Sequence, residues 1–69
     1  MDELKQRIIS VMRSMEENGD TEPNGGCNME HVAQKLSTDF NDSQFNTAMD
    51  ELVGDGTIRF TDSITAVLV

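Results

Sequence analysis

The apolar pattern changes period at Gly54-Asp55-Gly56, and this switch constrains the chain more than any other feature. Upstream, in FNTAMDELV, apolar residues recur at three- and four-residue intervals, as on one face of an α-helix. Downstream, TIRFT puts Ile58 and Phe60 on one face and Thr57, Arg59 and Thr61 on the other, the period of a strand. Asp62-Ser63 supplies turn chemistry, and ITAVLV follows with Ile64, Ala66 and Leu68 on one side and Val67 and Val69 opposite. Residues 57–69 therefore read as a hairpin, which is unstable alone and must lie against helices.

Three helices are expected before it. Residues 2–17 carry a stripe of Leu4, Ile8, Val11, Met12 and Met15, with Ile9 beside it and Asp2 and Glu3 suited to the positive helix end. Residues 18–26, NGDTEPNGG, hold three Gly and the only Pro and read as a loop. A second helix over 28–37 has Asn28 as its cap, Cys27 and Val32 spaced as a hydrophobic staple, and Met29, Val32, Ala33 and Leu36 as its apolar positions. A third over 41–53 has Asn41 as cap, Gln44 as capping-box partner and Phe40 and Phe45 as staple. Its expected buried face is Phe45, Ala48, Met49, Leu52 and Val53. The expected fold is α+β, a winged helix-turn-helix of three helices and a short C-terminal hairpin, in one domain over 1–69.

Composition narrows the partners. Thirteen Asp and Glu against five Lys and Arg give a net charge of −8. Nucleic acid and anionic membrane surfaces repel such a chain, whereas basic protein segments are attracted to it. No apolar run is long enough to span a bilayer. One cysteine excludes an internal disulfide.

Several chemistries fail on the residues. Phosphate loops lead into a helix N-terminus, but Gly54 and Gly56 follow a helix, beside Asp50, Glu51 and Asp55 and without a lysine. Asp20, Glu22, Asn24 and Gly25 imitate the first half of a calcium loop, yet the twelfth position is His31 where a bidentate Glu belongs. Cys27 and His31 lack two further zinc ligands. They are spaced as a nucleophile and base, but Cys27 reads as a core residue and His31 as a surface one. Asn41-Asp42-Ser43 matches a glycosylation acceptor and is better explained as a helix cap. The expectation is a non-catalytic domain without cofactor or metal.

DNA reading is the serious rival, because the third helix of a winged helix enters the major groove. Here its solvent side is Asp42, Ser43, Asn46, Thr47, Asp50 and Glu51, and residues 39 to 55 hold five acids and no Lys or Arg. The base readers Gln44 and Asn46 would lack phosphate contacts to hold them in register. A DNA-binding alternative would use Lys5 and Arg13 of the first helix.

The run FNDSQFNTAMDELVGDGTIRFTDSITAVLV resembles the C-terminal winged-helix domain of MCM replicative helicase subunits of the third and fourth types. Phe45, Ala48, Met49, Leu52, Asp55, Phe60, Thr61 and the closing VLV fit that outline. GCNMEHVAQKL and AMDELVGDGTI are also similar to the C-terminal winged helix of the middle subunit of replication protein A, although that family continues with a Tyr-containing strand and this chain has no Tyr. The first resemblance implies a nuclear regulatory module at the end of a longer, ATP-dependent helicase chain. The second implies a docking site for basic helices of repair and replication proteins. The expected working face is acidic: Asp50, Glu51, Asp55 and Asp62, with Arg59 and Thr61 beside them, taking a basic helix or segment of a protein partner on a monomeric domain.

Overall fold

A computed structural model describes residues 2–23 and 25–69. The elements run α1 (Asp2–Asn18), β1 (Cys27–Asn28), α2 (Met29–Leu36), α3 (Asp42–Gly54), β2 (Ile58–Phe60) and β3 (Thr65–Leu68). This is an α+β domain of three helices with a three-stranded antiparallel sheet, ordered β1-β3-β2.

Each helix buries the stripe its spacing defines. Leu4, Ile8, Met12 and Met15 of α1 meet Met29, Val32 and Leu36 of α2 and Phe45, Ala48, Met49 and Leu52 of α3 in one core, closed below by Ile58 and Ala66. Burying an aliphatic side chain of this size contributes about 1.5–3 kcal/mol, so these positions dominate the stability of a chain this short. Val53 does not join them and is 40% exposed. At 100° per residue it falls at the rim of the arc centred on Phe45, Ala48, Met49 and Leu52.

The caps fix where α2 and α3 begin. Asn28 Oδ1 accepts the Glu30 N–H at 2.9 Å, and Cys27 and Val32 are both buried, as a staple requires. At α3 the capping box is complete: Asn41 Oδ1 accepts the Gln44 N–H at 2.8 Å, and the Asn41 N–H donates to Gln44 Oε1 at 3.1 Å. α3 ends in a Schellman motif, with Thr57 N–H donating to Leu52 O at 3.0 Å and Gly56 N–H to Val53 O at 3.2 Å. That geometry needs a positive φ, which Gly56 supplies at 84°.

The sheet departs from the expected hairpin in two ways. First, Cys27 and Asn28 form a strand, paired with Ala66 and Thr65, so β3 is central instead of an edge. Two residues carry no periodicity, and this strand exists only because β3 offers its free backbone groups. Gly26 makes the approach possible: a Cβ there would collide with the Thr65 methyl and come within 3.3 Å of the Ala66 carbonyl oxygen. Second, β3 starts at Thr65, leaving Ile64 in the connection and 43% exposed, while Thr65 is 2% exposed. Phe60, expected beside Ile58, is 42% exposed.

Ion pairs tie α1 to α3 and to the α2–α3 connection at the surface. Lys5 Nζ lies 2.6 Å from Glu51 of α3. Arg7 Nη1 lies 2.7 Å from Asp39, with its guanidinium over the Phe40 ring at 5.7 Å. Exposed pairs of this kind contribute about 0–1 kcal/mol each, so they align the helices more than they stabilise them.

Candidate docking face

The six residues expected to form the working face have different occupations. Asp55 Oδ1 accepts the Thr57 hydroxyl at 2.6 Å and the Thr57 N–H at 3.0 Å. Asp62 Oδ1 accepts the Ile64 N–H at 2.9 Å and the Thr65 N–H at 2.8 Å. Thr57's hydroxyl and amide hold the Asp55 carboxyl below the usual aspartate range; the Ile64 amide, then Thr65, does so for Asp62. Both carboxylates are turn-forming groups whose accepting oxygen faces the chain's own backbone. Glu51 is engaged by Lys5, and the Thr61 hydroxyl donates to the Thr65 carbonyl at 3.3 Å. Arg59 is exposed on β2. Asp62 lines a groove beside Glu22 and Pro23, while Asp50, also exposed, lines a separate one between α2, α3 and the hairpin tip.

That groove, of about 440 Å3, runs between the start of α2, the flank of α3 and the tip of the hairpin. Its apolar lining is Met29, Phe45, Met49, Phe60 and Ile64, and its charged residues are Glu30 and Asp50. Its volume is within the roughly 300–1,000 Å3 of ordinary ligand clefts. The Met29 N–H donates to the Ile64 carbonyl at 2.7 Å, which braces one wall against another. Composition gave the acidity of this region, but the apolar strip escaped sequence reasoning. Its signal was the pair Phe60 and Ile64 flanking a turn, which period-2 logic assigns to the core.

A second cleft, of about 520 Å3, lies beside the end of α1. Its lining mixes Asp20 and Glu22 with His31 and Lys35, so it presents no field of one sign. The calcium-like run passes here. Glu22 Oε1 accepts the Asn28 amide at 3.0 Å, and Asn24 lies outside the described residues. Among the described residues no three His, Cys, Asp or Glu side chains cluster to hold a metal, and no helix is long and apolar enough to cross a membrane.

Cys27 and His31 have separate environments. The Cys27 thiol is buried and donates to the Met12 carbonyl at 3.6 Å, while His31 is exposed. Burial, and secondarily the Glu16 charge, push the thiol's pKa up, away from the reactive thiolate. Asn41 carries the α3 cap. Of the cations proposed for a DNA-binding α1, Lys5 is paired with Glu51.

Comparison of the chain with protein-family models, with curated proteins and with solved structures finds no match in any of the three.

Proposed function

We propose that this chain is a winged-helix protein-interaction module of the eukaryotic DNA replication machinery, acting in the nucleus through an acidic face that docks a basic segment of a partner. The finer fold reading rests on the hairpin β2–β3 following α3, in the position of a wing. The parentage rests on the resemblance to MCM helicase C-terminal domains, with the docking domain of replication protein A as the second parentage of the same class. In either setting the domain is regulatory and carries no catalysis itself.

One observation carries the choice of protein over DNA. The helix that would enter the major groove exposes Asp42, Asp50 and Glu51 and no cation. Phosphate affinity comes from Lys and Arg displacing counterions, and this surface would repel the duplex it had to enter.

The test is fluorescence anisotropy with a labelled duplex, alongside amide-shift mapping with basic peptides from helicase-loading and repair factors. The expected result is no duplex binding at micromolar protein and peptide-induced shifts clustered on residues 50 to 64. Micromolar duplex binding with a steep salt slope would overturn the proposal in favour of a nucleic-acid-binding winged helix.

A further inference from the structure

We infer that Asn18-Gly19, where α1 ends, is a site of spontaneous deamidation, at which water converts the Asn18 side chain to a carboxylate and loosens the last turn of the helix. The reaction involves neither the docking face nor a partner.

Two helices of this chain end alike and differ in the residue before the glycine. α1 closes in a Schellman motif, with the Asp20 N–H donating to the Met15 carbonyl at 2.8 Å and the Gly19 N–H to the Glu16 carbonyl at 3.4 Å. Gly19 supplies a φ of 76°, as Gly56 supplies 84° at the end of α3. Before Gly56 stands Asp55, whose Oδ1 accepts the Thr57 hydroxyl at 2.6 Å and the Thr57 N–H at 3.0 Å. An ionised carboxylate tied in this way is a poor electrophile. Before Gly19 stands Asn18, a neutral amide whose Nδ2 donates to Ser14 Oγ at only 3.4 Å. That bond and the one holding the Gly19 N–H are both at the weak end of the range.

The nucleophile is the Gly19 amide nitrogen. After losing its proton to water or hydroxide, it attacks Asn18 Cγ, the Cγ–Nδ2 bond breaks, and ammonia leaves with a proton from solvent. A five-membered succinimide remains, and water opens it at either carbonyl to give aspartate or isoaspartate. The sum is one water consumed and one ammonia released, without oxidant or cofactor. Asparagine is a heat-labile residue for this reason. Glycine is the most permissive follower, because it has no Cβ to obstruct ring closure, and no atom lies within 4 Å of where a Gly19 Cβ would be.

The attack requires the last turn to open, and little resists that. Glu16, Glu17, Asn18, Gly19 and Asp20 are all exposed, so fraying uncovers no buried side chain after Met15. The last turn also has no basic residue to complement the negative end of the helix. The other described asparagines lack these conditions. Asn28 and Asn41 accept capping N–H bonds at 2.9 and 2.8 Å, and the Met29 N–H that follows Asn28 is held by the Ile64 carbonyl at 2.7 Å. Asn46 lies inside α3 and precedes Thr47.

The product acts on the helix end. Aspartate at this position puts a charge at the negative pole of α1, beside Glu17 and Asp20. Isoaspartate inserts a methylene into the backbone, so the Gly19 and Asp20 N–H groups no longer reach the Glu16 and Met15 carbonyls together.

The test ages a chain carrying Asn24→Gln, which removes the other Asn-Gly pair, at neutral and mildly alkaline pH, folded and in urea. Mass spectrometry with fragmentation locates the gain of one mass unit, and enzymatic methylation detects isoaspartate. Asn18 is expected to convert before Asn28, Asn41 and Asn46, faster at the higher pH. Its rate in the folded chain should be within about tenfold of that in urea, because frayed helix ends open at little free-energy cost. Adding Asn18→Gln should stop the reaction, since a longer side chain must close a less favourable ring. The aged chain and a fresh Asn18→Asp variant should both melt below the parent by circular dichroism, and salt should narrow the gap for Asn18→Asp.

Conversion of Asn18 in urea but not in the folded chain would mean that the helix end is locked, and would overturn the inference. Conversion at Asn28, Asn41 or Asn46 first would do the same. Conversion at Asn18 with unchanged melting would refute the loosening of α1.

Discussion

The base and the tip of the hairpin have the same apolar pattern and opposite fates. At the base, Ile58 is buried beneath the helices, and its partner across the hairpin, Leu68, packs against the same core. At the tip, Phe60, two positions along β2 and paired with the buried Ala66, and Ile64, in the connection that follows, stand exposed. Alternation along a strand decides which face a side chain occupies, but whether that face is covered depends on how far the helices reach. The base therefore serves stability and the tip is available for binding. Truncation should separate the two most sharply. Ile58→Ala is expected to destabilise by about 2–5 kcal/mol, comparable to the whole stability of a domain this small. Phe60→Ala is expected to cost about 1 kcal/mol or less. Urea unfolding followed by circular dichroism measures both, and equal losses would erase the distinction between base and tip.

The third strand tests the same boundary from the other edge of β3. Gly26→Ala forces a methyl into the Thr65 side chain and against the Ala66 carbonyl. The backbone of β1 must then retreat from β3, at an expected cost of about 1–3 kcal/mol, as for other overpacked sites. Thr65→Ser removes the methyl that clashes, so the double variant should recover part of the loss. Additive losses would mean that β1 moves as a unit and the contact with Thr65 is not what limits it.

How far these features were legible varies with how local they are. The helices, the Asn41–Gln44 capping box and the glycine-mediated end of α3 depend on residues within a turn or two of one another, and the sequence displays them directly. Val53 sat at the rim of a legible stripe, where a few degrees decide exposure. β1 was illegible because two residues cannot show a period, although a buried Gly26 next to Cys27 marks a close approach of backbones. For the docking face, the number of acids could be counted but not their occupation. Asp55 and Asp62 each precede the amides they accept by two or three residues, the spacing of a turn-forming aspartate. That spacing identifies them as structural; Glu51 is taken by Lys5, and Asp50 is the expected carboxylate that lines the groove beside Glu30.

The smallest effects should come from those two carboxylates, and pH exposes them. Hydrogen bonds from Ile64 and Thr65 hold the Asp62 pKa below its ordinary value of 3.8, and those from Thr57 do the same for Asp55. A depressed folded-state pKa contributes stability that is fully present above the ordinary aspartate range and is lost as pH falls through the depressed value. Asp62→Asn and Asp55→Asn keep an accepting oxygen but remove the charge. Each should therefore lower the urea midpoint at pH 7, and the gap from the parent chain should close as pH falls below about 4. Taking the difference between variant and parent cancels the acid response of the other carboxylates, which both chains share. The two variants should then part company in binding. Asp62 fixes the turn that presents Ile64 to the groove, so Asp62→Asn should also weaken binding of basic peptides at pH 7, whereas Asp55→Asn, at the base, should leave it unchanged. If Asp55→Asn weakens basic-peptide binding as much as Asp62→Asn does, the base takes part in docking, and the division between a stabilising base and a binding tip fails.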